Sequence, residues 1–299
     1  MNKIINTAKE FNISYTENEP MKLHTTFKIG GAAKVAVFPE SADEVSRIVR
    51  CARENNIRLV TVGNGSDLLV SDNGIDGTAL IISNKMSEIE LIDDETIFAQ
   101  AGASLAQLCR FALENSMSGL EFAYGIPGSC GGAAFMNAGA YGGEMKDVLF
   151  KCEHIDENGN KGFFENEQLC FSYRKSVYTD NNFVITGIYC KLKKGNYEEI
   201  KSKMDDFLQR RKSKQPLEYP SGGSTFKRPE GNYASALIEQ CGLKGFSVGD
   251  AQVSKKHAGF VINKGDATCE DVLKLCEKVK QVVFEKTGYE LEMEVRFVE

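Results

Sequence analysis

The run Gly125-Ile126-Pro127-Gly128-Ser129-Cys130-Gly131-Gly132-Ala133-Ala134 decides how this chain is read; it continues through Phe135 and Met136 to Asn137-Ala138-Gly139-Ala140-Tyr141-Gly142-Gly143. Eight glycines fall within residues 119–143. Glycine at that density gives up side-chain packing and costs conformational entropy, so close contact between backbone and a large ligand is the simplest reason for it. A flexible solvated linker is the competing explanation. Against it, Ile126, Phe135 and Met136 are apolar and no Lys or Glu occurs in the run before Glu144, which reads as buried chain. The composition predicts loop with tight turns. A Walker-type phosphate loop is excluded, because no Gly-Lys-Ser/Thr ending is present.

A second glycine loop, Gly63-Asn64-Gly65-Ser66-Asp67-Leu68, follows the β-rich stretch 58–62. A dinucleotide fingerprint wants Gly-x-Gly-x-x-Gly opening directly into a helix. Here Leu68 takes the third glycine's place and residues 68–70 are β-prone, so that fingerprint fails twice. Two readings remain: a nest of outward N–H groups that binds a diphosphate, or an ordinary strand-ending turn.

Periodicity supplies the surrounding elements. Ser41 with Glu44 reads as a capping box, and Val45, Ile48, Val49 and Ala52 follow at helical spacing. Strands fit 58–62 and 78–82, giving an α/β unit over 20–84. Strands at 88–92 and 96–101 precede a helix capped by Ser104 and Gln107, with Leu105, Leu108, Cys109 and Ala112 on one face. After a strand at 183–192, Asn196 caps a helix carrying Ile200, Met204, Phe207 and Leu208, whose basic end (Arg210, Arg211, Lys212, Lys214) suits the dipole. From Tyr219-Pro220-Ser221-Gly222-Gly223 onward the pattern predicts a helix at 234–241, a strand at 258–263 and a long helix capped by Thr268. Leu291, Met293, Val295 and Phe297 then alternate with charge as a closing strand. The class is α+β with more than one domain.

The 299 residues hold 36 Lys plus Arg against 42 Asp plus Glu, a net charge of −6 that argues against a nucleic-acid partner. No apolar run approaches a membrane span, and residues 1–10 lack the apolar core of a secretory signal. These features predict a cytoplasmic protein. Nine cysteines, an odd number without a Cys-x-x-Cys pair, read as free and mostly buried thiols. His24, His154 and His257 lie far apart, so no metal site is expected.

Further stretches complete an ordered set: Thr26-Phe27-Lys28-Ile29-Gly30-Gly31, Ser172-Tyr173-Arg174-Lys175-Ser176, Gly223-Ser224-Thr225-Phe226-Lys227 and Glu294-Val295-Arg296. With the two glycine-rich regions they resemble, from about Met21 to the end, the UDP-N-acetylenolpyruvoylglucosamine reductase family, flavoenzymes of peptidoglycan precursor synthesis. The resemblance implies a vanillyl-alcohol-oxidase (PCMH-type) FAD-binding fold. Its implied division is two flavin-binding subdomains, 20–84 and 85–218, the second joined by a terminal strand at 289–299, and a substrate-binding domain at 219–288. The short interval 176–183 resembles the subclass without an inserted tyrosine loop. FAD would be bound without covalent attachment, its diphosphate against Gly63, Asn64, Gly65, Ser66, Asp67 and Leu68 and against Gly125, Ile126, Pro127, Gly128, Ser129, Gly131 and Gly132. NADPH and a UDP-sugar enolpyruvyl ether would be the substrates of a monomer without nucleic-acid or membrane partners.

The resemblance also assigns Arg174, Ser224 and Glu294 to catalysis, and Tyr141, Lys214 and Arg228 to the nucleotide substrate, although many members carry Asn where Arg228 stands. Those roles make physical sense. Hydride addition to an enol ether builds charge toward its carboxylate, which a guanidinium can hold bidentately. The resulting carbanionic carbon is basic enough to take a proton from a positioned hydroxyl. From the residues alone, Ser224 after two glycines reads first as a turn residue, Arg174 and Glu294 read first as surface ion-pair partners, and Glu292 and Glu294 share one face. Another FAD-dependent oxidase and a non-catalytic nucleotide-binding module are the alternatives.

Overall fold

A computed structural model describes residues 1–299, which fold as two compact units. The first comprises Met1–Glu17, Lys34–Asn64 and Gly77–Arg210; the second comprises Asn18–Ala33, Gly65–Asp76 and Arg211–Glu299. Both are discontinuous.

In the first unit a five-stranded antiparallel sheet has the order Lys161–Glu165, Leu149–Ile155, Val184–Lys191, Thr96–Gln100, Ile89–Leu91. Helix α1 (Asn2–Glu10) buries Ile4, Ile5 and Ala8 in the same core as α2 (Ala42–Glu54), which inserts Val45, Ile48, Val49 and Ala52. Each fully buried Val or Ile side chain among these contributes about 1.5–3 kcal/mol. The α2 cap is one-sided: Ser41 Oγ accepts from Glu44 N–H at 3.3 Å, while the Glu44 carboxylate turns to Glu40 N–H instead of Ser41. Helix α3 (Leu105–Glu114) has the full Ser104–Gln107 box.

Residues 119–143 are not all loop. They contain α4 (Cys130–Phe135), capped by Ser129 Oγ accepting from Gly132 N–H at 3.2 Å. The glycines there answer to space: a Cβ on Gly131 would lie 2.8 Å from Ala101 Cβ. Helix α5 (Tyr197–Lys214) begins at Asn196, whose Oδ1 accepts from Glu198 and Glu199 N–H, and it buries Ile200 and Met204.

The second unit packs Phe27, Ile29, Leu69 and Phe226 with α6 (Ala234–Gln240) and α7 (Cys269–Thr287). Thr268 and Asp271 form the α7 capping box, and the helix stops at Gly288, φ +73°. The predicted strand at 258–263 is only Val261–Asn263, because Phe260 N–H closes a turn on His257 O. The predicted closing strand is likewise shorter: Arg296–Val298 runs parallel to Leu68–Val70, and before it Met293 makes a single bridge to Phe226. Eight of the nine cysteines are buried, Cys170 being exposed. No helix is long and apolar enough to cross a membrane.

Candidate functional site

Within the first unit the two glycine-rich regions meet. The strand Leu59–Val62 ends at Gly63, where a Cβ would lie 2.4 Å from Ser129 Oγ, and Asn64 Nδ2 donates to Pro127 O at 3.3 Å. The start of α4 is stitched to 101–105: Gly131 N–H donates to Ala101 O, Cys130 N–H to Ala103 O, and Leu105 N–H to Gly128 O. That stitching fixes Gly128, Ser129 and Gly131, while Gly125, Ile126, Pro127 and Gly132 stay partly or fully exposed.

Beyond α4 the chain makes a small hairpin, Gly139–Ala140 with Gly143–Glu144, that carries Tyr141 at its tip. Tyr141 stacks on Phe207 of α5 with ring centroids 4.7 Å apart. Arg174 lies on a turn closed by mutual backbone bonds between Ser172 and Lys175, and its guanidinium donates to Gly139 O at 3.4 Å. Asn137, Tyr141 and Arg174 all hold left-handed backbones, φ +44°, +54° and +55°. Non-glycine residues keep that conformation only where surrounding contacts over-determine it.

Within the second unit Gly65 (φ +59°) presses against His24, where any Cβ would fall 1.9 Å from the carbonyl oxygen. Thr26 N–H donates to Gly65 O, and Thr26 Oγ1 donates to Ser221 O at 2.6 Å. Asp67 O accepts from Arg296 N–H, and Leu68 begins the strand paired with Arg296–Val298. The turn bearing Ser224 approaches the same loop, with a Gly223 Cβ position 4.0 Å from Ser66 O. Ser224 is exposed, while its neighbour Thr225 is buried and bonded to Gly259 O, Val261 N–H and Glu294 N–H. Ser224 and Glu294 therefore sit on adjacent backbone segments. Glu294 is half-buried, whereas Glu292 is exposed and ion-paired with Lys227, a distinction that period two alone could not make. Arg228 lies over the Tyr233 ring at 4.2 Å, and Lys214 ends α5 in the open. Burial holds the His257 imidazole below its ordinary 6.5, and the cations Lys244 and Lys214 push the same way.

The 63–66 loop fits a flavin diphosphate in one further respect. The backbone N–H groups of Asn64, Gly65 and Ser66 take part in none of the turn and loop hydrogen bonds of the chain, the condition for donating to an anion. No cluster of His, Cys, Asp and Glu is arranged to hold a metal ion. An open cavity of about 750 Å³ in the first unit, lined by Lys146, Phe150 and Cys170 among others, contains none of the expected site residues. Sequence reasoning assigned no role to Asn137, and it read Phe207 only as part of an apolar stripe. The signal for Asn137 was there: a lone amide within an otherwise apolar Phe-Met-Asn-Ala.

Two family models match the chain: an FAD binding domain over residues 33–161, and the C-terminal domain of UDP-N-acetylenolpyruvoylglucosamine reductase over 215–298. The UDP-N-acetylenolpyruvoylglucosamine reductase of Caldanaerobacter subterraneus is 50% identical over 281 residues, covering 94% of this chain and 92% of the relative. That of Clostridium novyi is 48% identical over 278 residues, covering 93% and 90%. The crystal structure of the Thermus caldophilus reductase superposes with a TM-score of 0.81 at 33% identity, covering 96% of this chain and 99% of that one. A berberine bridge enzyme variant, at 14% identity and TM-score 0.50 over 65% of this chain and 44% of its own, shares the fold alone.

Proposed function

The chain belongs to the UDP-N-acetylenolpyruvoylglucosamine reductase family, and from that premise we propose which of its own residues carry the reaction. It is an α+β, PCMH-type FAD-containing oxidoreductase of peptidoglycan precursor synthesis. With NADPH as co-substrate it converts UDP-N-acetyl-3-O-(1-carboxyvinyl)-glucosamine to UDP-N-acetylmuramate. Bound flavin supplies hydride transfer, which no side chain of the protein can perform.

The rest is the work of the chain. Residues 63–68 hold the diphosphate, and the backbone N–H groups of Asn64, Gly65 and Ser66, which take part in none of the chain's turn and loop bonds, are the observation that carries this reading; the run 125–132, most of whose N–H groups are spent on the chain itself, lies against it. Arg174 holds the substrate carboxylate on which charge develops. Ser224, exposed on its turn, gives a proton to the substrate carbon, and Glu294 on the neighbouring segment is its polar companion. Tyr141, Lys214 and Arg228 bind the nucleotide; the guanidinium of Arg228, braced by Tyr233, suits a diphosphate better than the Asn of many members does. In functional terms 20–84 and 85–218, the latter with the terminal strand 289–299, serve the flavin and 219–288 the substrate. The short 176–183 interval, a 3₁₀ turn, belongs to the subclass without the tyrosine loop. Nucleotide-linked substrates and a net charge of −6 accord with a cytoplasmic monomer that has no nucleic-acid or membrane partner; a dimer mass in light scattering would overturn the monomer.

The deciding experiment is anaerobic. NADPH should bleach the flavin absorbance of the purified protein, and the enolpyruvyl nucleotide should restore it while UDP-N-acetylmuramate forms. Bleaching without restoration would leave a flavoprotein of another substrate.

A further inference from the structure

Asn137 is fully buried. An amide in such a place is costly unless its groups are paired. Here Nδ2 donates to Glu144 Oε2 at 2.7 Å and to Ser172 O at 2.9 Å, and Oδ1 accepts from Lys146 N–H at 2.9 Å. One side chain thus joins the end of the glycine-rich run, the hairpin bearing Tyr141, and the turn bearing Arg174.

That turn is held at both ends. Ser172 O accepts from Asn137 and from Lys175 N–H, while Ser176 Oγ, itself buried, donates to Phe135 O at 2.6 Å. Between these clamps Arg174 keeps its left-handed backbone, φ +55°, and reaches Gly139 O. We propose that Asn137 is a positioning residue that acts through Arg174: its buried amide fixes the Ser172–Lys175 turn against the Tyr141 hairpin and so aims the guanidinium. This rests on the reading that Arg174 holds the substrate carboxylate.

The test is a double-mutant cycle on flavin-loaded enzyme, with each half-reaction followed by stopped flow. Asn137→Gly removes the amide and keeps a left-handed backbone unstrained. Flavin reduction by NADPH should be nearly unchanged. Reoxidation by the enolpyruvyl nucleotide should slow roughly 10- to 100-fold, the scale of a catalytic group displaced by about 1 Å. In an Arg174→Ala background the same change should slow it no further, since the two act as one. Asn137→Asp keeps the acceptor but sets a carboxylate against Glu144 and the Ser172 carbonyl, and should reproduce the loss.

The failures separate. If Arg174→Ala leaves reoxidation intact, the role given to Arg174 falls and the proposal falls with it. If Arg174→Ala slows reoxidation but Asn137→Gly does not, or if their losses multiply, the proposal alone is overturned. Loss of flavin or of folding in both Asn137 variants would assign the amide to stability and equally overturn it.

Discussion

Ser224 follows two glycines on an exposed turn, where a hydroxyl serves either the turn or the chemistry, and the two uses predict different kinetics. A proton donor is needed only when the enolpyruvyl nucleotide is reduced, so Ser224→Ala should leave flavin reduction by NADPH nearly untouched. Reoxidation should slow by at least ~10²-fold, the lower end of general-acid catalysis, or roughly 3 kcal/mol. Stopped-flow traces in which both half-reactions fall together, with flavin lost, would instead mark a turn residue. The acidic neighbours give a paired test. Glu292 is exposed and its ion pair with Lys227 is worth at most about 1 kcal/mol. Glu292→Gln should therefore leave turnover unchanged. Glu294→Gln, at the half-buried carboxylate beside the Ser224 segment, should slow reoxidation about tenfold or more. Equal rates in the two variants would remove Glu294 from the mechanism.

Helix α4 sets intrinsic preference against packing. Alanine is favoured over glycine inside a helix by about 1 kcal/mol. At Gly131, however, the new methyl would lie 2.8 Å from Ala101 Cβ and 3.2 Å from Ala101 O, and overpacking of that kind costs about 1–3 kcal/mol. The clash should win, so Gly131→Ala lowers the melting temperature; an unchanged or raised value would show that 101–105 can yield. The same conflict explains why α4 was illegible in the sequence: six residues, two of them glycine, are too short and too weak in net propensity to read as a helix, and tertiary stitching forms it. Helix α1 was missed because nine residues carrying Ile4, Ile5 and Ala8 show too little period until α2 covers them. Helices α2, α3, α5 and α7 were readable, since caps and apolar stripes are local. Strand ends were not, because Val261–Asn263 and Arg296–Val298 stop where partners stop. The same division runs through the candidate site. Glycine loops announce themselves by composition, whereas Asn137 gains its meaning from Ser172, 35 residues away.

At the scale of the whole molecule, FAD bound without covalent attachment, as proposed, should leave with unfolding. Acid precipitation should put all the yellow colour in the supernatant, and colour kept in the pellet would refute non-covalent binding. Acid also acts on the fold itself, through one imidazole in each unit. His154 is buried among Phe164, Tyr178 and Phe183, with Nδ1 2.9 Å from the Tyr178 hydroxyl; His257 is half-buried in the second unit. Burial holds both below the ordinary 6.5, with Asp156 opposing at His154 and Glu239 opposing at His257. An unfolded chain keeps the ordinary value, so below 6.5 it binds more protons than the folded one, and stability falls as pH falls until the folded values are passed. Carboxylates such as Asp156, held below 3.8 by hydrogen bonds from Asn160 and Asn158, act in a separate and lower window. Melting temperatures measured from about pH 8 to about pH 5.5 should therefore decline above the window in which Asp156 titrates. His154→Gln and His257→Gln should each be less stable than the parent at the alkaline end and flatten the decline. A parallel decline in both variants would place the acid sensitivity elsewhere.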